Sequence, residues 1–205
     1  MNTPAATVFI VDDDPAVRDA LTLMIEQEGF AVDAFENAEI FLAACRTECR
    51  GCAIIDIRMP GMDGMRLQEA LSERGILLPI IFLTGHGDIP MSVRAIKAGA
   101  VDFLTKPVTR EKLMECVQAA IQADERMFAQ LANNQEAMSH LANLTERERE
   151  VMALAVTGRP NKEIARRLGI SHRTVEIHKS NIMHKTGAAN LLDLARIAHE
   201  CGVSQ

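Results

Sequence analysis

Tryptophan and tyrosine are absent from the chain, and seven phenylalanines are its only aromatics among 205 residues. The interior therefore has to be filled by Leu, Ile, Val, Ala and the 11 Met. No apolar run approaches the ~20 residues that a membrane-spanning helix needs, so no membrane partner is expected. The N-terminus has no basic stretch followed by an apolar one, so no secretory signal is expected. These absences predict a cytoplasmic protein whose five cysteines are reduced thiols. Pro and Gly are also missing between Val108 and Leu144, which argues against a flexible linker there.

What is present is enough for a folded core. Hydrophobic content is 48 % and charged content 24 %, ordinary for a globular chain of one or two domains. The net charge of −6 is unevenly spread: residues 1–126 hold 12 Lys+Arg against 20 Asp+Glu, and residues 127–205 hold 10 against 8. Within Arg159–Lys185 seven basic residues face only Glu163 and Glu176. An acidic front half and a locally basic back half imply two separate tasks.

The front half alternates short apolar runs with helical patterns. Strands are expected at Thr7–Val11, Ala31–Phe35, Cys52–Asp56, Pro79–Thr84 and Val101–Thr105. Between them lie a helix from Pro15 with an apolar face of Val17, Leu21, Leu23, Met24 and Ile25, and one around Phe41-Leu42. Further helices are expected at Met65–Arg74, Pro90–Lys97 and from Arg110 onward. Alternation of this kind predicts an α/β domain with a doubly wound, five-stranded parallel sheet of order 2-1-3-4-5.

In a parallel sheet all carboxyl ends of the strands meet on one edge. Here those ends carry Asp12-Asp13, Asp56, Thr84 and Lys106. Crowded carboxylates need a compensating cation, and Mg²⁺ suits a site of few carboxylates and several waters. Lys106 adds a fixed positive charge and Thr84 a hydroxyl. A carboxylate nucleophile among such groups can accept a phosphoryl group.

These positions, with Ile55-Asp56-Ile57-Arg58-Met59-Pro60-Gly61-Met62-Asp63-Gly64 and Lys106-Pro107, resemble the receiver domain of two-component response regulators. The resemblance implies a flavodoxin-like fold in which Asp56 takes phosphate from a phosphohistidine on a sensor kinase. It implies Mg²⁺ held by Asp13, Asp56 and the backbone carbonyl of Arg58, with Asp12 acting through water. Thr84 and Lys106 would then engage the phosphoryl oxygens, and Phe103 would turn inward as the aromatic switch. The helix at Pro90–Lys97 and the fifth strand would form the dimer face of the phosphorylated protein. His86 is read as a loop residue near the site. Cys45, Cys49 and Cys52 have spacings near those of metal ligands, but a fourth ligand is missing.

From Arg110 the helical pattern continues past the domain edge. Leu113, Val117, Ala120, Asp124, Met127, Leu131, Asn134, Met138 and Leu141 form a heptad-like stripe. Two readings stay open: a coiled coil between two copies, or a stripe packed on the chain's own domains. The boundaries expected are a receiver at 1–123, a helical linker at 124–141 and an output domain at 142–205.

The output segment opens with Thr145 and Glu148 spaced as a capping box. Asn161 is expected to cap a second helix, Gly169 to make a tight turn, and Ser171 to cap a third helix ending before Gly187. A last helix is expected from Leu191 to about Glu200. Two helices about a glycine turn form a helix-turn-helix. On its second helix Val175 and Ile182 face inward. Arg173, Ile177, Ser180 and His184 face outward, flanked by Glu176 and Asn181, toward base edges in the major groove. Lys162, Arg166, Arg167, Thr174, Lys179 and Lys185 are candidates for DNA phosphates.

Leu144-Thr145-Glu146-Arg147-Glu148, Asn161-Lys162-Glu163-Ile164-Ala165 and Thr174-Val175-Glu176 resemble the LuxR-type output domain. The resemblance implies a four-helix domain that binds palindromic double-stranded promoter DNA as a dimer and works with RNA polymerase. Within the NarL/FixJ group the layout is nearest the FixJ subfamily, which implies a FixL-like, oxygen-responsive histidine kinase and activation of nitrogen-fixation or microaerobic genes. An aspartate-based phosphohydrolase and a constitutive DNA-binding protein with a vestigial receiver are the rival readings. Turnover and phosphate-dependent DNA affinity separate them.

Overall fold

A computed structural model describes residues 6–85 and 89–200. His86 lies outside the described residues. The chain divides into two compact units, Met1–Met127 and Phe128–Gln205.

The first unit carries β1 (Thr7–Val11), α1 (Pro15–Glu26), β2 (Ala31–Phe35), α2 (Ala38–Ala44), β3 (Gly51–Asp56), α3 (Gly64–Glu73), β4 (Ile80–Thr84), α4 (Ile89–Lys97) and β5 (Asp102–Thr105). The strands form one sheet of order β2-β1-β3-β4-β5, every neighbouring pair parallel. β3 and β4 are buried at every residue, as strands covered on both faces must be. Side chains alternate across the sheet. Phe9, Val11, Ala53, Ile55 and Phe82 pack on one face with Phe41 of α2 and Leu67 and Leu71 of α3. Val8, Ile10, Ile54, Ile81 and Leu83 pack on the other with Leu21 and Ile25 of α1 and with Leu113 and Val117 of α5 (Arg110–Ala142). Each fully buried aliphatic side chain contributes about 1.5–3 kcal/mol, so a polar substitution in β3 weakens the layer on that side.

Local chemistry sets the helix starts. Asp14 caps α1, accepting from Ala16 N–H at 2.9 Å, and Pro15 occupies the first turn. Asp63 caps α3 by accepting from Arg66 N–H at 2.8 Å. One expectation is corrected: Leu23 does not join the apolar face of α1 but is 59 % exposed. It sits two residues from Leu21, about 200° around the helix.

α5 is a single helix of 33 residues, Arg110–Ala142, and it resolves the stripe piecewise. Leu113, Val117 and Ala120 are buried in the first unit's core. Asp124 is also buried there, its carboxylate 2.9 Å from both Nε and Nη2 of Arg50. Leu131 and Met138 are 50 % and 60 % exposed, whereas Leu141 is buried in the second unit's core. The two ends of the stripe therefore pack on the chain's own domains. Among the described residues no helix is long and apolar enough to cross a membrane.

The second unit continues with α6 (Glu146–Ala155), α7 (Asn161–Leu168), α8 (His172–Thr186) and α9 (Leu191–Glu200). Val151, Met152, Ile164, Val175, Ile182, Leu194 and Ile197 form its core. The Thr145–Glu148 capping box is present, and Ser171 caps α8 by accepting from Thr174 N–H at 3.0 Å. The cap of α7 differs from expectation. Pro160 holds that position with no side-chain bond, because its extended backbone already delivers the chain into the helix. Asn161 is the first helical residue, and its Oδ1 accepts from Lys179 Nζ at 2.9 Å, tying α7 to α8. Gly169, at φ +64°, makes the left-handed turn between those helices, a conformation that glycine adopts without steric cost.

Candidate functional site

β1 and β3 are neighbours in register, Val11 opposite Ile55, so Asp12 and Asp56 emerge side by side. Asp12 and Asp56 are buried and Asp13 is exposed; one carboxylate oxygen from each lies within 4.8 Å of the others. Among the described residues this is the only cluster of three metal-type ligands. Lys106 follows β5, and its Nζ donates to Asp12 Oδ2 and to Asp56 Oδ2, each at 2.6 Å. The remaining oxygens are also engaged: Asp56 Oδ1 accepts from Arg58 N–H and Asp12 Oδ1 from Asp14 N–H, both at 3.0 Å.

The electrostatics follow from this packing. Burial pushes the Asp12 carboxyl above its ordinary range, with the Lys106 ammonium pulling it partly back. Burial pulls the Lys106 ammonium down, but its hydrogen bonds to Asp12 and Asp56 outweigh this and raise it. One lysine thus pairs with two of the three clustered carboxylates. The excess negative charge and the hard oxygen donors fit a divalent cation such as Mg²⁺.

Thr84 ends β4, wholly buried, and its carbonyl accepts from Lys106 N–H at 2.7 Å. Phe103 stands on β5 opposite Phe82, half-buried against the core. Two contributors escaped the sequence reading. A Cβ on Gly64 would sit 2.5 Å from the carbonyl oxygen of Asp56, so only glycine lets α3 begin against the end of β3. Its place after a Pro-Gly turn signalled the turn, not the close approach. Glu39 of α2 reaches the same loop, its Oε1 accepting from Met62 N–H at 3.1 Å. No local pattern marks that contact across 23 residues.

Cys45, Cys49 and Cys52 do not come together as three ligands. Cys45 lies in the core on one side of the sheet with Cys49 packed against it, and Cys52 lies in the core on the other side.

In the second unit the outward face of α8 is as expected. Arg173, Glu176, Ile177, Ser180, Asn181 and His184 are all exposed, while Val175 and Ile182 are buried opposite. Lys162, Arg166 and Arg167 of α7 are exposed. Thr174 Oγ1 lies 2.7 Å from Ser171 Oγ. Two of the basic candidates are tied within the domain: Lys179 to Asn161, and Lys185 to the buried carboxylate of Glu148 at 2.7 Å.

A parallel sheet with an acidic pocket at its carboxyl edge, followed by a helix-turn-helix, defines a signal-receiving regulator of DNA. Residues 8–118 match the response regulator receiver domain, and residues 142–198 match the luxR family of bacterial regulatory proteins. The response regulator protein TodT of Pseudomonas putida is 40 % identical, covering 96 % of this chain and 87 % of its own. The transcriptional regulatory protein FixJ of Bradyrhizobium diazoefficiens is 39 % identical over 98 % of both chains. The solved structure of the response regulator StyR is 42 % identical, covers 96 % of this chain and 99 % of its own, and superposes with a TM-score of 0.80. The chain belongs to the two-component response regulators with a LuxR-type DNA-binding output domain.

Proposed function

We propose that the protein is a cytoplasmic transcriptional activator switched by phosphorylation of Asp56. The observation that carries this reading is the Lys106 ammonium held 2.6 Å from both Asp12 and Asp56 at the carboxyl edge of the sheet. An Asp56 carboxylate oxygen attacks the phosphorus of a phosphohistidine on a sensor histidine kinase. The new O–P bond forms as the N–P bond breaks, and the imidazole leaves with the electron pair, its other ring nitrogen already carrying a proton. Asp12, Asp13, Asp56 and the Arg58 carbonyl would hold Mg²⁺, which when bound neutralises charge on the transferring group. Lys106 stays protonated to pair with the phosphoryl oxygens, and Thr84 supplies a hydroxyl donor.

The modification adds about −1.5 to −2 charges beside Thr84. Thr84 drawn toward them leaves space that Phe103 fills from its half-buried position. The surface of α4 and β5 then becomes a homodimer interface, a reading supported by the exposure of Val93 and Ile96 on α4. We assign 1–123 to the receiver, 124–141 to a helical linker and 142–205 to the output domain.

In the output domain Arg173, Glu176, Ile177, Ser180, Asn181 and His184 read bases. Lys162, Arg166, Arg167 and Thr174 hold phosphates, and Lys179 and Lys185 add positive charge behind them. Pairing two output domains multiplies affinity for a two-half-site promoter through effective concentration, and places the dimer to engage RNA polymerase. The FixJ identity supports a FixL-like, oxygen-responsive kinase and nitrogen-fixation or microaerobic promoters. The similar TodT identity supports a kinase answering another signal, and phosphotransfer from purified FixL against other kinases separates the two. The central test is labelling by a small phosphodonor with sedimentation before and after. Wild type takes up phosphate and dimerises, and Asp56→Asn does neither. Undiminished labelling of Asp56→Asn sinks the assignment.

A further inference from the structure

At the end of the sheet opposite the acidic pocket, two thiols meet around one peptide. α2 ends at Ala44, and Cys45 leaves it with an extended backbone. The chain then turns, Cys49 N–H donating to the Arg46 carbonyl at 3.0 Å. Cys49 Sγ accepts from Arg46 N–H at 3.2 Å, and Cys45 Sγ lies 4.0 Å from the Arg46 carbonyl oxygen. Both sulfurs therefore lie against the one Arg46 peptide unit, Cys49 on its N–H and Cys45 beside its carbonyl. Both line a cavity of about 250 Å³ together with Phe9, Phe41 and Arg50. That space far exceeds the ~30 Å³ share of a water molecule, so a peroxide-sized reagent fits.

We propose that Cys45 and Cys49 form a paired-thiol modification site that a hydroperoxide closes to a disulfide. The two sulfurs have different parts. Burial, with Cys49 beside it, pushes the Cys45 thiol up to about 12, so Cys45 keeps its proton. Cys49 is half-exposed, its sulfur held in place by the Arg46 N–H, so it is the sulfur that a reagent reaches first. The Cys49 sulfur attacks one oxygen of the hydroperoxide, the O–O bond breaks, and the departing oxygen takes the Cys49 proton and leaves as water or alcohol. Cys49 is then a sulfenic acid. The Cys45 sulfur attacks it, the S–O bond breaks, and hydroxide leaves with the Cys45 proton as a second water. Two thiols are oxidised and one peroxide is reduced.

Neither of the other described cysteines is placed to compete. Cys52 lies across the sheet, and the Cys116 thiol donates to Asp102 at 2.9 Å. The site adjoins Arg50, whose guanidinium holds Asp124 of α5, so closing it stiffens the turn that carries this anchor.

The test uses the full chain. It is exposed to hydrogen peroxide, its free thiols are alkylated, and it is cleaved by trypsin, which cuts after Arg46 and Arg50. The peptides ending at these arginines should emerge joined, and dithiothreitol should separate them. Cys52→Ser should retain the linkage. Cys45→Ser and Cys49→Ser should lose it, and Cys45→Ser should instead accumulate a sulfenic acid trapped by dimedone at Cys49. Circular dichroism confirms that each variant is folded, and the half-exposed Cys49 keeps the test sound should Cys45→Ser unfold. Unlinked peptides from folded wild type, Cys49 oxidised to sulfinic acid with Cys45 still free, or Cys49 joined to Cys52 or to a second chain would overturn the proposal.

Discussion

Lys185 Nζ lies 2.7 Å from Glu148 Oε2, so a cation that composition assigns to DNA holds down a buried carboxylate of its own domain. The same carboxylate accepts from Thr145 N–H at 2.8 Å, which joins the start of α6 to α8. The Lys185 hydrogen bond, opposed by burial and assisted by Thr145, holds the Glu148 carboxyl below its ordinary value of 4.5. Because the folded state binds this proton less readily than the unfolded chain, the contribution is fully present above that ordinary value. It is lost as pH falls below it through the folded value. Melting of the output domain against pH should show a loss of stability below about pH 4.5, and Glu148→Gln should flatten that limb. Lys185→Met should cost about 2 kcal/mol at neutral pH, the scale of a charge-assisted hydrogen bond.

Arg166 and Arg173 differ from Lys185 in being exposed. Arg166→Ala should weaken DNA binding about equally on all sequences and reduce the slope of log K against log salt by about 1. Arg173→Ala should cost about 1–3 kcal/mol on the cognate promoter and relax its sequence preference. Fluorescence anisotropy across a salt series checks both, and a Lys185→Met slope equal to that of Arg166→Ala would contradict the separation drawn between them.

These lysines show where sequence reading reached its limit. Val175 and Ile182 were legible as core, and Arg173 and Ile177 as outer face, because helical periodicity is a local property. The partners of Lys179 and Lys185 are 18 and 37 residues away, and composition carries no trace of them. Asp124 puts a charge into an apolar stripe, and its partner Arg50 is 74 residues distant, beyond any local pattern. Leu23 differs for another reason: it is apolar, but its position points away from the face that Leu21 and Ile25 share. The acidic pocket was legible because a parallel sheet gathers strand ends on one edge, so adjacency followed from topology.

Removing one of the gathered charges should be visible without any phosphodonor. In Lys106→Met the buried carboxylates of Asp12 and Asp56 lose their shared ammonium, and the receiver should lose about 2–4 kcal/mol at neutral pH. Mg²⁺ should restore part of this, at about 2.7 kcal/mol for a concentration 100-fold above Kd. Thermal melting with and without Mg²⁺ checks it. Asp13→Asn should shrink the Mg²⁺-dependent rise in Tm while leaving the metal-free melt nearly unchanged, since Asp13 is exposed.

Gly64→Ala tests geometry instead of charge. The added methyl meets the Asp56 carbonyl at 2.5 Å, and α3 must shift to admit it. A loss of about 1–3 kcal/mol is expected, the scale of overpacking. The labelling rate of Asp56 should fall with it, because the displaced loop carries Arg58. Unchanged melting and labelling would show that α3 gives way freely.

β3 is the central strand of the sheet, and both layers of the first unit share it. Cys52 and Ile54 are keyed into one layer and Ala53 and Ile55 into the other, with β1 and β4 bonded along its edges. A slip of one residue would turn every one of these side chains to the wrong layer, so the strand has no neighbouring resting position. Asp56, at its tip, is therefore a stationary anvil. Movement in the receiver then has to come from the loops and side chains around that anvil, not from the strand that carries it.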